Sequence, residues 1–127
     1  MLADVPFVTV RRLNVTVRDV LRCVLGLRDV EVDTYFALLE RGEATVYDLA
    51  EELDRDRTTV QKALKSLVYA GLVTRRKETR PRGGFVYVYK AVPFEEARKI
   101  VLRALDEWYE AVKDALERAD VPRSGPE

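Results

Sequence analysis

Apolar positions change their period several times along the chain, and each change predicts an element. Residues 6–13, PFVTVRRL, read as a short strand. From Thr16 the apolar residues Val17, Val20, Leu21 and Val24 recur at steps of three and four, which predicts a helix to about Leu25 with Gly26 near its end. Thr16 and Asp19 have the spacing of a capping box. A second helix starts near Asp29, carries Val32, Tyr35, Phe36 and Leu39 on one stripe, and stops at Gly42. Thr45 and Asp48 then repeat the cap spacing ahead of Val46, Leu49, Ala50 and Leu53. After the break Asp54-Arg55-Asp56, a further helix is expected from about Arg57 to Ala70, capped by Asp56 and closed by Gly71.

Two short helices joined by so tight a turn suggest a helix-turn-helix. On a helical wheel Val60, Leu64, Leu67 and Val68 fall on one side of the second of them, while Thr58, Gln61, Lys62, Lys65 and Tyr69 fall on the other. That outer side carries no acid. Glutamine, threonine and lysine are groups that hydrogen-bond base edges and phosphates. Arg57 and the first-turn amides add an anion-attracting end. The plainer reading is an ordinary solvated helix face.

Past Gly71 the period becomes two. Residues 72–80 and 85–92 read as strands joined by Pro81-Arg82-Gly83-Gly84, so a basic β-hairpin follows the helix-turn-helix directly and would be its wing. Arg80 and Arg82 would lie on phosphates or enter the minor groove. Phe85, Tyr87 and Tyr89 alternate with valines, which points to core packing for most of them, a stacking platform for single strands being the alternative. From Pro93 the helical period returns for about 26 residues. Ala97, Val101, Ala104, Trp108, Val112 and Ala115 form its stripe, too long for one small domain to bury and so expected to dimerise; packing on its own domain is the alternative. The fold class expected is mainly α with a small β-hairpin. It divides into an N-terminal segment and helix (1–28), a winged helix-turn-helix (29–92), a C-terminal dimerisation helix (93–120) and a flexible tail (121–127).

Charge sharpens this picture. The 127 residues carry 22 basic and 22 acidic side chains and no formal net charge, yet residues 55–90 hold 10 basic groups against 2 acidic ones. The flanking segments are both acidic. Absences narrow the chemistry further. The sequence has no histidine and a single cysteine, Cys23, so imidazole acid–base catalysis, a zinc-thiolate site and an internal disulfide are excluded. No enzyme activity, metal or cofactor is expected. Cys23 on an apolar helix reads as a buried residue rather than a redox switch. With no signal peptide and no long apolar run, a cytoplasmic location without membrane contact is expected.

The run LGLRDVEVDTYFALLERGEATVYDLAEELDRDRTTVQKALKSLVYAGLV resembles the DNA-binding domain of archaeal TrmB-like regulators and, more loosely, of MarR-like ones. The likeness covers about residues 25–92. It implies sequence-specific binding of double-stranded DNA by a homodimer, with the recognition helix in the major groove. By position it places Arg57, Thr58, Thr59, Gln61, Lys62 and Lys65 on the recognition helix, and Arg80, Arg82 and Gly83 on the wing. Gln61 and Lys62 are the first candidates for base edges and Thr58 the next. Lys65, Arg75 and Arg76 are expected on phosphates. TrmB-type sugar sensors carry a large effector domain after the final helix, and a chain ending at 127 gives no support to sugar sensing. The functional expectation is a DNA-binding transcriptional regulator; the alternative is a winged-helix protein-interaction module of a transcription or replication assembly.

Overall fold

Capping residues settle where the helices begin. The computed structural model describes residues 14–118 and 121–122. Helix α1 (Val17–Val24) opens on a complete capping box, with Thr16 Oγ1 accepting from the Asp19 amide and Asp19 Oδ2 accepting from the Thr16 amide, both at 3.1 Å. In α2 (Asp29–Arg41) the cap position is Arg28, one residue before the expected Asp29. Glu31 is the cause: its Oε1 accepts from the Arg28 amide at 2.8 Å and its Oε2 from the Arg28 guanidinium at 2.9 Å. Burial pushes the Glu31 carboxyl up, but these bonds and one from Ser66 outweigh it and hold the group below the ordinary carboxylate range.

Two residues, β1 (Glu43–Ala44), then pair with a distant strand, an element too short to leave a periodic trace. Thr45 and Asp48 cap α3 (Val46–Leu53), and Asp56 caps α4 (Arg57–Tyr69). Between them the chain reverses at Asp54, whose φ of 54° is left-handed, a conformation that aspartate tolerates better than most residues. Helix α4 ends in a Schellman motif: the Leu72 amide donates to the Leu67 carbonyl and that of Gly71 to Val68, both at 3.0 Å. Gly71 takes φ 83° there and swings the chain straight into β2 (Val73–Thr79).

Strand β3 (Phe85–Ala91) returns antiparallel to β2 and is flanked on its other side by β1, giving the sheet order β1-β3-β2. Helix α5 (Phe94–Glu117) starts at Pro93, and its first turns pack on α1 and the core. A single core joins Leu21, Val32, Tyr35, Leu38, Leu49, Val60, Leu64, Leu67, Val73, Tyr89 and Ala97. The fold is thus mainly helical with a small antiparallel sheet, a winged helix-turn-helix. The strand expected over 6–13, and the tail apart from residues 121–122, lie outside the described residues.

Leu64 is completely buried at the centre of α4. Leu64→Ala should lower the unfolding free energy by about 2–5 kcal/mol. Gly71→Ala, which forces a side chain into the left-handed region, should cost about 1–2 kcal/mol. Urea denaturation midpoints at constant slope would read both.

Candidate nucleic-acid interface

Because Val60, Ala63, Leu64 and Leu67 face inward, α4 must turn Thr58, Gln61, Lys62, Lys65 and Tyr69 outward, and all five are exposed. The sequence-based division of this helix therefore holds. Within the exposed side the residues differ. Arg57 lies with its guanidinium 5.2 Å from the ring centre of Tyr47 on α3. Thr58, Gln61, Lys62 and Lys65 join Val46, Tyr47 and Arg57 around an open groove of about 490 Å³ between α3 and α4. Thr59 stands apart. Its hydroxyl donates to Asp56 Oδ1 at 2.6 Å and its amide to Oδ2 at 3.2 Å, so the side chain serves the helix cap. Those two bonds hold the Asp56 carboxyl below its ordinary range.

Strand register sorts the wing cations into two groups. Arg75 pairs across from Tyr89, Lys77 from Tyr87 and Thr79 from Phe85, so Arg75 and Lys77 share one face with the three aromatics. On that face the Arg75 guanidinium sits 4.2 Å from the Tyr87 ring centre and Lys77 Nζ 4.4 Å from that of Phe85. Tyr89 at its inner end is buried, Tyr87 is half-buried and Phe85 is 52% exposed. Core packing thus accounts for Tyr89 and part of Tyr87. The faces of the outer two rings already carry cations, which leaves a poor platform for stacking bases. The same face looks toward α4, since Gln61 Nε2 donates to the Tyr89 hydroxyl at 3.1 Å.

Arg76 points to the opposite face, where its two terminal nitrogens donate to Glu43 at 2.8 and 3.2 Å and Glu78 lies 3.7 Å away. Its expected role as a phosphate contact is not what this geometry serves; Arg76 ties the wing to β1. Lys77, absent from the sequence-based candidates, takes the place on the aromatic face. The alternation of residues 75 and 77 carries that signal once the strand register is known. Tyr47 was also missed, because it lies outside the apolar stripe of α3. At the wing tip Arg80, Arg82 and Gly83 are exposed, with the Gly83 amide bonded to the Arg80 carbonyl and the Arg80 amide to the Gly84 carbonyl, each at 3.0 Å. Among the described residues Arg57, Lys62, Lys65, Arg75, Lys77, Arg80 and Arg82 make no ion pair, whereas Arg18, Arg28, Arg41 and Arg98 are each held by an acid.

The candidate dimerisation stripe divides in two. Ala97 and Val101 are buried in this chain's own core, so they are not available to a partner. Ala104, Val112 and Ala115 are half-buried and Trp108 is 66% exposed, beside exposed Leu102, Leu105, Tyr109 and Leu116. Among the described residues no helix is long and apolar enough to cross a membrane.

A helix-turn-helix with a basic hairpin against its second helix is the architecture of the winged-helix class, to which many DNA-binding transcriptional regulators belong. The family model described as sugar-specific transcriptional regulator TrmB matches residues 21–95, and the chain belongs to that family. Two proteins of Methanocaldococcus jannaschii are similar: MJ1082, 48% identical over 110 residues covering 87% of this chain and 91% of its own, and MJ1503, 39% identical over 105 residues covering 83% and 80%. A solved structure described as a possible transcriptional regulator from Methanosarcina mazei superposes with a TM-score of 0.73 at 25% identity, covering 80% of this chain and 87% of that one.

Hydrogen bonds from Arg76 hold the Glu43 carboxyl below its ordinary range. Since the folded value lies beneath the unfolded one, the pair's stabilisation is complete above the unfolded carboxylate range and disappears as the pH falls through the lower, folded value. An NMR titration of the Glu43 side-chain carbon should show the depressed midpoint, and Arg76→Ala should raise it, leaving only the smaller pull of Lys90 and the opposing effect of burial.

Proposed function

We propose that the protein is a homodimeric, sequence-specific regulator of transcription that inserts α4 into the major groove of double-stranded DNA and lays its wing along the backbone and adjacent minor groove. One observation carries this reading. Cations of α4 and of the aromatic wing face stand without acidic partners on a single surface, in a chain whose total charge is zero. Lysines and arginines left unpaired in this way attract phosphate and displace its counterions. Gln61 and Lys62 occupy the exposed middle of α4 and Thr58 its first turn, where side chains reach base edges. Lys65, Arg75 and Lys77 take phosphates on either side, with Arg57 at the start of the helix and Arg80 and Arg82 at the tip.

A second copy accounts for α5. Beyond Val101 the helix runs a further 16 residues, to Glu117, with Leu102, Leu105, Trp108, Tyr109 and Leu116 exposed. An apolar groove continues from it, between Val17 and Val20 of α1 and Phe94 and Leu102 of α5. Isologous packing of these surfaces about a two-fold axis would present two α4 helices to half-sites one helical turn, or a multiple of it, apart.

Binding should weaken steeply with salt, and Arg82→Ala should reduce the slope of log K against log salt by about 1. Arg75→Ala and Lys77→Ala should lower affinity severalfold, whereas Arg76→Ala should change it little. Anisotropy titrations on duplexes selected from genomic fragments would read these effects; salt-insensitive binding, or equal losses at Arg75 and Arg76, would overturn the docking. Trp108→Glu should shift sedimentation equilibrium from dimer to monomer and weaken binding to a two-half-site duplex far more than to a single half-site.

A further inference from the structure

Among the described residues, the hydrogen bond between Gln61 and Tyr89 has no counterpart on the exposed side of α4. Lys62 and Lys65 extend into solvent, and Thr58 makes no side-chain hydrogen bond among the described residues. Gln61 alone is tied back, from an exposed position, to a hydroxyl whose residue is 2% exposed. Tyr89 is in turn buried and held by its neighbours. Its backbone sits in the central strand, opposite Ala44 on one side and Arg75 on the other, and its ring lies in the core. A free glutamine samples many rotamers, and ordering one on binding opposes affinity. Here the order exists before DNA arrives.

One N–H of the Gln61 amide is engaged by Tyr89. The other N–H and Oε1 remain, a donor beside an acceptor, and adenine presents the complementary pair in the major groove, N7 as acceptor and N6–H as donor. The groove next to Gln61 is walled by Val46, Tyr47 and Thr58, whose apolar atoms suit the 5-methyl of thymine. We propose that Tyr89 is a positioning residue for base recognition: its hydroxyl holds the Gln61 amide so that it reads the adenine of an A·T pair, with the thymine methyl against the groove beside it. This rests on the reading of α4 as a major-groove helix.

The test is selection of binding sites from a random duplex pool by the wild-type protein, Tyr89→Phe and Gln61→Ala, followed by affinities for the selected site, single-base variants and a scrambled duplex. Wild type should prefer adenine at one position of each half-site by about 5- to 150-fold. Gln61→Ala should abolish that preference. Tyr89→Phe, which keeps the ring, should reduce it severalfold while leaving affinity for scrambled DNA unchanged and the helical circular dichroism intact. Replacing that adenine by 7-deazaadenine, which lacks N7, should weaken wild type but not Gln61→Ala. A wild-type preference that Tyr89→Phe leaves whole, or a loss in Tyr89→Phe that is equal on every duplex, would overturn the positioning role alone. A wild-type protein that binds with no preference at any position would overturn the sequence-specific regulator as well.

Discussion

Val60, Ala63, Leu64 and Leu67 are completely removed from water, and their spacing leaves α4 one rotation in which all four can be buried at once. Losing that burial would cost several kcal/mol, far more than any surface contact of the helix could return. The orientation of the polar side therefore follows from the apolar one. The same packing fixes where α4 ends, and the Schellman turn at Gly71 then directs β2 back along the helix. The hairpin has little freedom left. Leu72 and Val73 at its base, and Ala91 across from Val73, belong to the core that holds α4.

Charge distribution follows a similar logic. The acidic helices neutralise their own arginines: Arg18 meets Asp29 and Asp33, and Arg41 meets Glu52. Such exposed pairs contribute little stability, but each removes a cation from competition for phosphate. The basic segment keeps most of its cations unpaired, and aromatic rings rather than acids support Arg57, Arg75 and Lys77. A ring steadies a cation without cancelling its charge. Aromatics around α4 therefore pre-order the basic side chains while leaving their field intact.

What could be read from the sequence was whatever depends on near neighbours. Capping boxes at Thr16 and Thr45, the two sides of α4 and the Gly71 stop are local features within a few residues, and the structure repeats them. What escaped depends on separation. Strand β1 exists only through its pairing with β3. Arg76 is turned to the opposite face of the wing by Glu43, 33 residues earlier, and Gln61 is tied to Tyr89, 28 residues later. The division of α5 escaped for the same reason. A periodic stripe announces an apolar side, but which turns meet the chain's own core depends on where the sheet and α1 stand.

Helix α5 leaves the core after Val101, and its remaining 16 residues extend about 24 Å at the usual helical rise. A rod of that length anchored at one end is a lever. Tilting it by about 10° at the base moves the far end by roughly 4 Å, slightly more than the 3.4 Å between stacked base pairs. Small adjustments in the packing of Ala97 and Val101 beneath α1 would thus be magnified at the far end to the scale of one step along the double helix.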